Sequence, residues 1–185
     1  MNTPLSAQQL VLRLLESRAA LDPEDQASQD QFARFAREHP DCCERTLRAG
    51  HFTGSAWLVS ADGRRVLLTH HRKLGRWLQL GGHADGDGDL PAVALREAEE
   101  ESGLTGLSVE RQPLDMDLHY IPEHGDDAGH WHYDVRFVVQ ASGSEDFVAS
   151  EESHALAWRQ IENLVFDPTA DQSLRRMAAK WLARQ

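Results

Sequence analysis

The sequence predicts an α/β fold in which helices pack on a mixed sheet, with a helical extension over residues 1–50 leading into one domain over residues 51–185. Three observations carry that prediction. Apolar residues keep helical spacing through the first fifty positions, then change at Gly54 to short strand-like runs. Those runs are interrupted by one strongly capped helix and closed by another, an order that fits helices layered on a sheet. A chain of 185 residues, 41% hydrophobic and 26% charged, can bury one substantial core.

Each element has a local cause. Ser6 and Gln9 form a capping-box pattern ahead of Leu10, Val11, Leu14 and Leu15, which share one helical face. Asp22-Pro23 supplies an N-cap and a first-turn proline for a second helix carrying Phe32 and Phe35, and Asp41 with Glu44 predicts a third start. Ala56 to Val59 and Val66 to Leu68 flank Asp62-Gly63, a dipeptide suited to a tight hairpin turn. After a basic stretch from His70 to Arg76, a short apolar run from Trp77 to Leu80 leads into a Gly/Asp loop from Gly81 to Asp89. The next helix has Asp89 or Leu90 at its cap, Pro91 in its first turn and Gly103 to end it. Strands are expected near 107–120, 131–140 and 154–159, and Pro168 is expected to open a last helix with Leu174, Met177, Ala178, Trp181 and Leu182 on one face.

Composition narrows the partners. With 19 Lys plus Arg against 30 Asp plus Glu the formal charge is −11, which argues against long-range attraction to nucleic acid or anionic lipid. No apolar run approaches the ~20 residues of a membrane helix, and no basic start leads into an apolar signal segment. The two cysteines, Cys42 and Cys43, are adjacent, a spacing that strains a disulfide and fits reduced thiols. The expectation is a soluble, unprocessed cytoplasmic protein with a small-molecule partner, no nucleic acid, no membrane, and homodimerisation left open.

On a helix Glu97, Glu100 and Glu101 fall at i, i+3 and i+4, so three carboxylates crowd one stripe while Glu99 points away. A bare Glu run is usually a solvated face. A hard divalent cation such as magnesium would relieve this repulsion, and the Gly81-Gly82 turn offers a backbone carbonyl as a further ligand. A calcium loop begun by Asp85, Asp87 and Asp89 fails, because its sixth position is Leu90 and its twelfth Arg96.

Gly82, followed by Arg96-Glu97-Ala98-Glu99-Glu100-Glu101-Ser102-Gly103-Leu104, resembles the Nudix box: Gly, five residues, Glu, seven residues, then Arg-Glu-apolar-any-Glu-Glu-any-Gly-apolar. The second half matches throughout, a coincidence expected by chance on the order of once in 10⁴ chains of this length. One position departs, since Gly88 stands where the first Glu belongs, between Asp87 and Asp89. The resemblance covers residues 52–185 and implies an α/β/α sandwich and metal-assisted hydrolysis of a diphosphate. It assigns metal binding to Glu97, Glu100 and Glu101 with Gly81, an orienting ion pair to Arg96, and a general base to a helix Glu or to Glu152 on a later loop. Magnesium or manganese is the implied cofactor. In the usual register, Gly88→Glu would restore a ligand and raise activity at limiting magnesium.

The basic stretch offers Arg72, Lys73 and Arg76 as grips for substrate phosphates. Strand alternation places His130, His132, Asp134 and Arg136 on one face, with Arg136 a further substrate contact. His51, with Ser55, Trp57 and Leu58, then Gly82-His83, His132 and Asp134, is also similar to the metal-binding pattern of Nudix-fold isopentenyl diphosphate isomerases. This likeness implies a second, transition-metal site from His51, His83, His132 and Asp134, with His130 beside it. Where those isomerases carry a cysteine before the Gly-His pair, this chain has Gly81, which argues for hydrolysis. The alternatives to a hydrolase of a nucleoside diphosphate derivative or related soluble pyrophosphate are such an isomerase and a non-catalytic ligand-binding or regulatory Nudix-fold domain.

Overall fold

The computed structural model describes residues 3–72, 75–123, 125, 128–148 and 153–184. The first helix, α1 (Ala7–Ser17), opens on a reciprocal capping box: Gln9 N–H donates to Ser6 Oγ at 3.2 Å and Ser6 N–H to Gln9 Oε1 at 2.9 Å. It buries Val11 and Leu15 completely. Asp22 caps α2 (Pro23–Glu38) by accepting Asp25 N–H at 2.9 Å, and Phe32, Phe35 and Ala36 are buried along its inner face. No third helix starts at Asp41. His39 is extended ahead of Pro40, as the proline ring requires, and the chain proceeds through turns that bury Cys42 and Cys43. The Cys42 carbonyl accepts Phe52 N–H at 2.8 Å, which ties this segment to the sheet.

The sheet holds β1 (Gly50–Val59), β2 (Arg65–His71), β3 (Trp77–Leu78), β4 (Leu80–His83), β5 (Ser108–Ile121), β6 (His130–Gln140) and β7 (Ser153–Gln160). It is mixed. β1 runs parallel to β6 from Gly50↔Trp131 to Val59↔Gln140, and its other edge is taken by antiparallel β4. The predicted hairpin therefore pairs only next to its turn, Val59↔Val66, and β2 departs to join β7 and β3. β1 is buried along its whole length, but only residues 56–59 are a continuous apolar run; its first half carries the buried polar residues His51, Thr53 and Ser55.

Helices cover both faces. On one, α3 (Leu90–Ser102) packs Ala98 with Ala56, Leu58, Leu67 and Leu80. On the other, α4 (Ile161–Phe166) and α5 (Gln172–Leu182) bring Leu164, Leu174, Met177 and Trp181 against Trp57, Val66 and Val138. Pro168 does not open the last helix. It lies in the turn after α4, an element the periodicity missed for its brevity, and Asp171 is the cap of α5, accepting Ser173 N–H at 2.9 Å. The extension is not peripheral, since α1 and α2 share one apolar cluster with Phe52, Val93, Ala94, Val135 and Phe137. No helix among the described residues is long and apolar enough to cross a membrane.

Candidate active site and histidine cluster

The acidic stripe stands on α3. Asp89 accepts Ala92 N–H at 3.4 Å, and Gly103, in the left-handed region at φ 67°, ends the helix. Val93, Ala94 and Ala98 face the core, which leaves Glu97 and Glu101 half-buried and Glu99 and Glu100 exposed. Gly81 and Gly82, expected to open a loop, instead belong to strand β4, which holds the stripe from the other side. Gly81 N–H donates to Glu101 Oε1 at 2.8 Å. A side chain at Gly82 would put its Cβ 2.4 Å from Glu97 Oε2, so any larger residue there would displace that carboxylate from its present position. Arg96 donates to Glu97 Oε1 at 3.0 Å and to the His83 carbonyl at 3.2 Å, joining helix and strand. The donor set of three carboxylates beside the backbone of β4 fits a hard, oxygen-seeking divalent cation.

Gly88 has a packing cause that the sequence pattern did not disclose. It is buried, and an added Cβ would fall 2.3 Å from the Ala7 carbonyl oxygen and 2.5 Å from Ala7 Cα. The backbone of α1 occupies the space a side chain would need. The flanking acids are already engaged: Asp87 Oδ1 accepts Asp89 N–H at 2.8 Å, and Asp89 both caps α3 and takes Arg111 at 2.8 Å.

The proposed phosphate grips separate. Arg76 pairs with Asp171 at 3.1 Å and lines a cavity of about 610 Å³ with Trp77, Arg159, Asn163 and Leu174, none of them a box residue. Arg72 is exposed, and Lys73 and Glu152 lie outside the described residues. Arg136 is not a substrate contact. Its side chain is 3% exposed and its guanidinium is taken by Asp134 at 2.7 Å, Asp117 at 3.2 Å and Asp115 at 3.4 Å.

The register of three strands assembles a second group. β1 sets His51 opposite His132 on β6, and His83 lies opposite Thr53 from β4. Together with His130, these four imidazoles bring one nitrogen each to within 4.8 Å of one another. His51 is 1% exposed and neither ring nitrogen makes a well-formed hydrogen bond, its one weak partner being the Leu47 carbonyl, which also accepts Gly50 N–H at 3.2 Å. Burial, then the surrounding imidazoles, push His51 down to about 4 and His132 to about 2, so both are neutral at pH 7. Asp134 does not join them. Thr53 and Ser55 donate to its Oδ1 at 2.9 and 2.7 Å, and Arg136 and Gln79 to its Oδ2 at 2.7 and 3.3 Å, which commits the carboxylate to the sheet interior. His130, read from the sequence only as a neighbour, takes the fourth position.

Comparison with known proteins agrees with this architecture. The NUDIX domain family matches residues 51–181, from the start of β1 into α5. Among solved structures, a NUDIX-family hydrolase from Clostridium perfringens is 22% identical with a TM-score of 0.53, covering 72% of this chain and 97% of its own. The Escherichia coli dihydroneopterin triphosphate pyrophosphohydrolase is 16% identical with a TM-score of 0.56, over 72% and 96%. An Ap4A hydrolase of Caenorhabditis elegans, in a binary complex, is 16% identical with a TM-score of 0.55, over 72% and 96%. No curated protein matches the chain.

Proposed function

We propose a reaction for this chain from the premise that it belongs to the Nudix family, whose domain spans residues 51–181: hydrolysis of a diphosphate link in a nucleoside diphosphate derivative or related soluble pyrophosphate. The observation that carries it is the locked stripe, in which Gly81 N–H positions Glu101, Gly82 makes room for Glu97, and Arg96 ties Glu97 to the end of β4. Glu97, Glu100 and Glu101 with the Gly81 carbonyl would hold Mg²⁺ or Mn²⁺, which when bound neutralises charge on phosphate oxygens and activates water. The chain's own part is orientation. Arg96 holds Glu97 in place, the Gly81 N–H fixes one Glu101 oxygen, and a helix Glu or Glu152 takes the proton of the attacking water.

The test is a panel of nucleotide sugars, dinucleotides, modified triphosphates and isoprenoid diphosphates, with products identified by phosphorus NMR at varied magnesium. Magnesium-dependent release of a monophosphate, lost in Glu101→Gln, is the expected result. One observation favours a second reading, a ligand-binding or regulatory domain: the backbone of α1 fills the space where the first box carboxylate would stand. Saturable binding without turnover across the panel would select it, and isomerisation with both phosphates retained would select the isomerase.

A further inference from the structure

We infer that His51, His83, His130 and His132 form a closed, tetrahedral site for a zinc-class cation that is separate from the acidic stripe and clasps β1, β4 and β6. The proposal stands whether or not the stripe turns over a diphosphate.

Two independent observations point to a ligand. One is convergence: the four side chains come from three strands, and their ring centroids lie 4.8 to 5.0 Å from His51 for His130, His132 and His83. Tetrahedral zinc with nitrogen ligands holds neighbouring nitrogens about 3.3 Å apart, from bonds of roughly 2.0–2.1 Å. His130 Nε2 and His132 Nε2 already stand 3.2 Å apart, and the whole set spans no more than 4.8 Å, so small ring rotations close the tetrahedron.

The other is the unpartnered polarity of His51. A side chain 1% exposed, with both nitrogens lacking a well-formed hydrogen bond, is costly to bury, and a hydrated polar strand face leaves that cost unexplained. A cation would take the lone pair of one nitrogen, and the Leu47 carbonyl is the partner at hand for the N–H of the other. The surroundings also orient a ligand: the Ala128 carbonyl lies 2.8 Å from His130 Nδ1, which places the proton there and turns the lone pair of Nε2 toward the cluster.

Imidazole selects the metal class. Four neutral nitrogens suit zinc, cobalt, nickel or copper and are poor ligands for magnesium. Four protein ligands leave no open position for water, the mark of a structural site. Its position gives it a task, because His83 follows Gly82 directly and its carbonyl accepts Arg96, so a cation on His83 steadies the strand against which the carboxylates are set.

The experiment uses the full chain without a histidine tag, stripped by chelator, kept in excess Mg²⁺ and titrated with Co²⁺. One equivalent should give the intense visible bands of tetrahedral cobalt, and stoichiometric Zn²⁺ should erase them. His130→Ala and His132→Ala, both on a half-exposed strand end, should each weaken Co²⁺ binding by more than about 10-fold, the least that loss even of an outer-shell partner costs. The double variant should lose the bands while keeping its circular dichroism, and Glu100→Gln should retain them. Weak octahedral bands in the wild type, unchanged affinity in both single variants, or loss of the bands in Glu100→Gln would each overturn the proposal. Should the double variant fail to fold, the wild-type spectrum and the single variants decide.

Discussion

Gly88→Ala distinguishes a box position that lacks a ligand from one that has been given over to packing. Gly88 is outside the positive-φ residues, so alanine is conformationally acceptable there. On backbone entropy alone the change would stabilise the protein by about 0.4–1 kcal/mol. The contact reverses the sign. With Cβ 2.3 Å from the Ala7 oxygen, the first turn of α1 must retreat by about 1 Å to reach ordinary contact near 3.4 Å. Overpacking of this kind costs about 1–3 kcal/mol. Complete undocking would give up Val11 and Leu15, both fully buried, at roughly 1.5–3 kcal/mol each, so α1 should shift and stay docked. For a chain of this length each kcal/mol moves Tm by roughly 2–4 °C, giving a fall of about 2–12 °C in a thermal melt. Ala7→Gly should not rescue it, because the clashing atoms are backbone. Gly88→Glu inherits the same clash and should be no better than wild type at limiting magnesium, opposite to the expectation from the box pattern alone. A Tm equal to or above wild type for Gly88→Ala would refute this reasoning.

Glu101→Gln should lower magnesium-dependent turnover by more than about 100-fold while leaving Tm level or slightly higher, since the amide oxygen still accepts Gly81 N–H and one repelling charge is gone; steady-state rates and a melt check both. Arg136→Met should lose roughly 3–5 kcal/mol in denaturant unfolding, because Asp134, Asp115 and Asp117 keep their charge without their shared buried cation, and KM of the folded fraction should not move. Asp25 gives a pH signature. Burial raises its pKa, but the Arg18 guanidinium and Leu21 N–H outweigh that and hold it at about 2, against an ordinary 3.8. A lowered folded value means the stabilisation is present above pH ~4 and is lost as pH falls toward 2. The Tm advantage of wild type over Asp25→Asn should therefore be full at pH 7 and smaller at pH 3. An advantage that stays constant over that range would count against the pair.

What could be read from the sequence follows the distance over which each cause acts. Caps act within four residues, so Ser6 with Gln9, Asp22 with Pro23, and Asp89 with Gly103 marked three helices, and the spacing of Arg96, Glu97, Glu100, Glu101 and Gly103 marked the stripe and the family. The misreadings come from partners far along the chain. Nothing near Gly88 announces Ala7, so a packing requirement looked like a missing ligand. Period-two alternation put His132, Asp134 and Arg136 on one face correctly, yet it could not say where along that face water ends. The parallel register of β6 on β1 decides this: it places His132 beside His51 at the strand end, while Asp134 and Arg136 are drawn inward to Thr53, Ser55 and Asp115. A side chain's chemistry on such a face is set by its depth, which only the pairing strand determines. That is why one run of four polar residues divides into two candidate ligands and two buried members of an ion network.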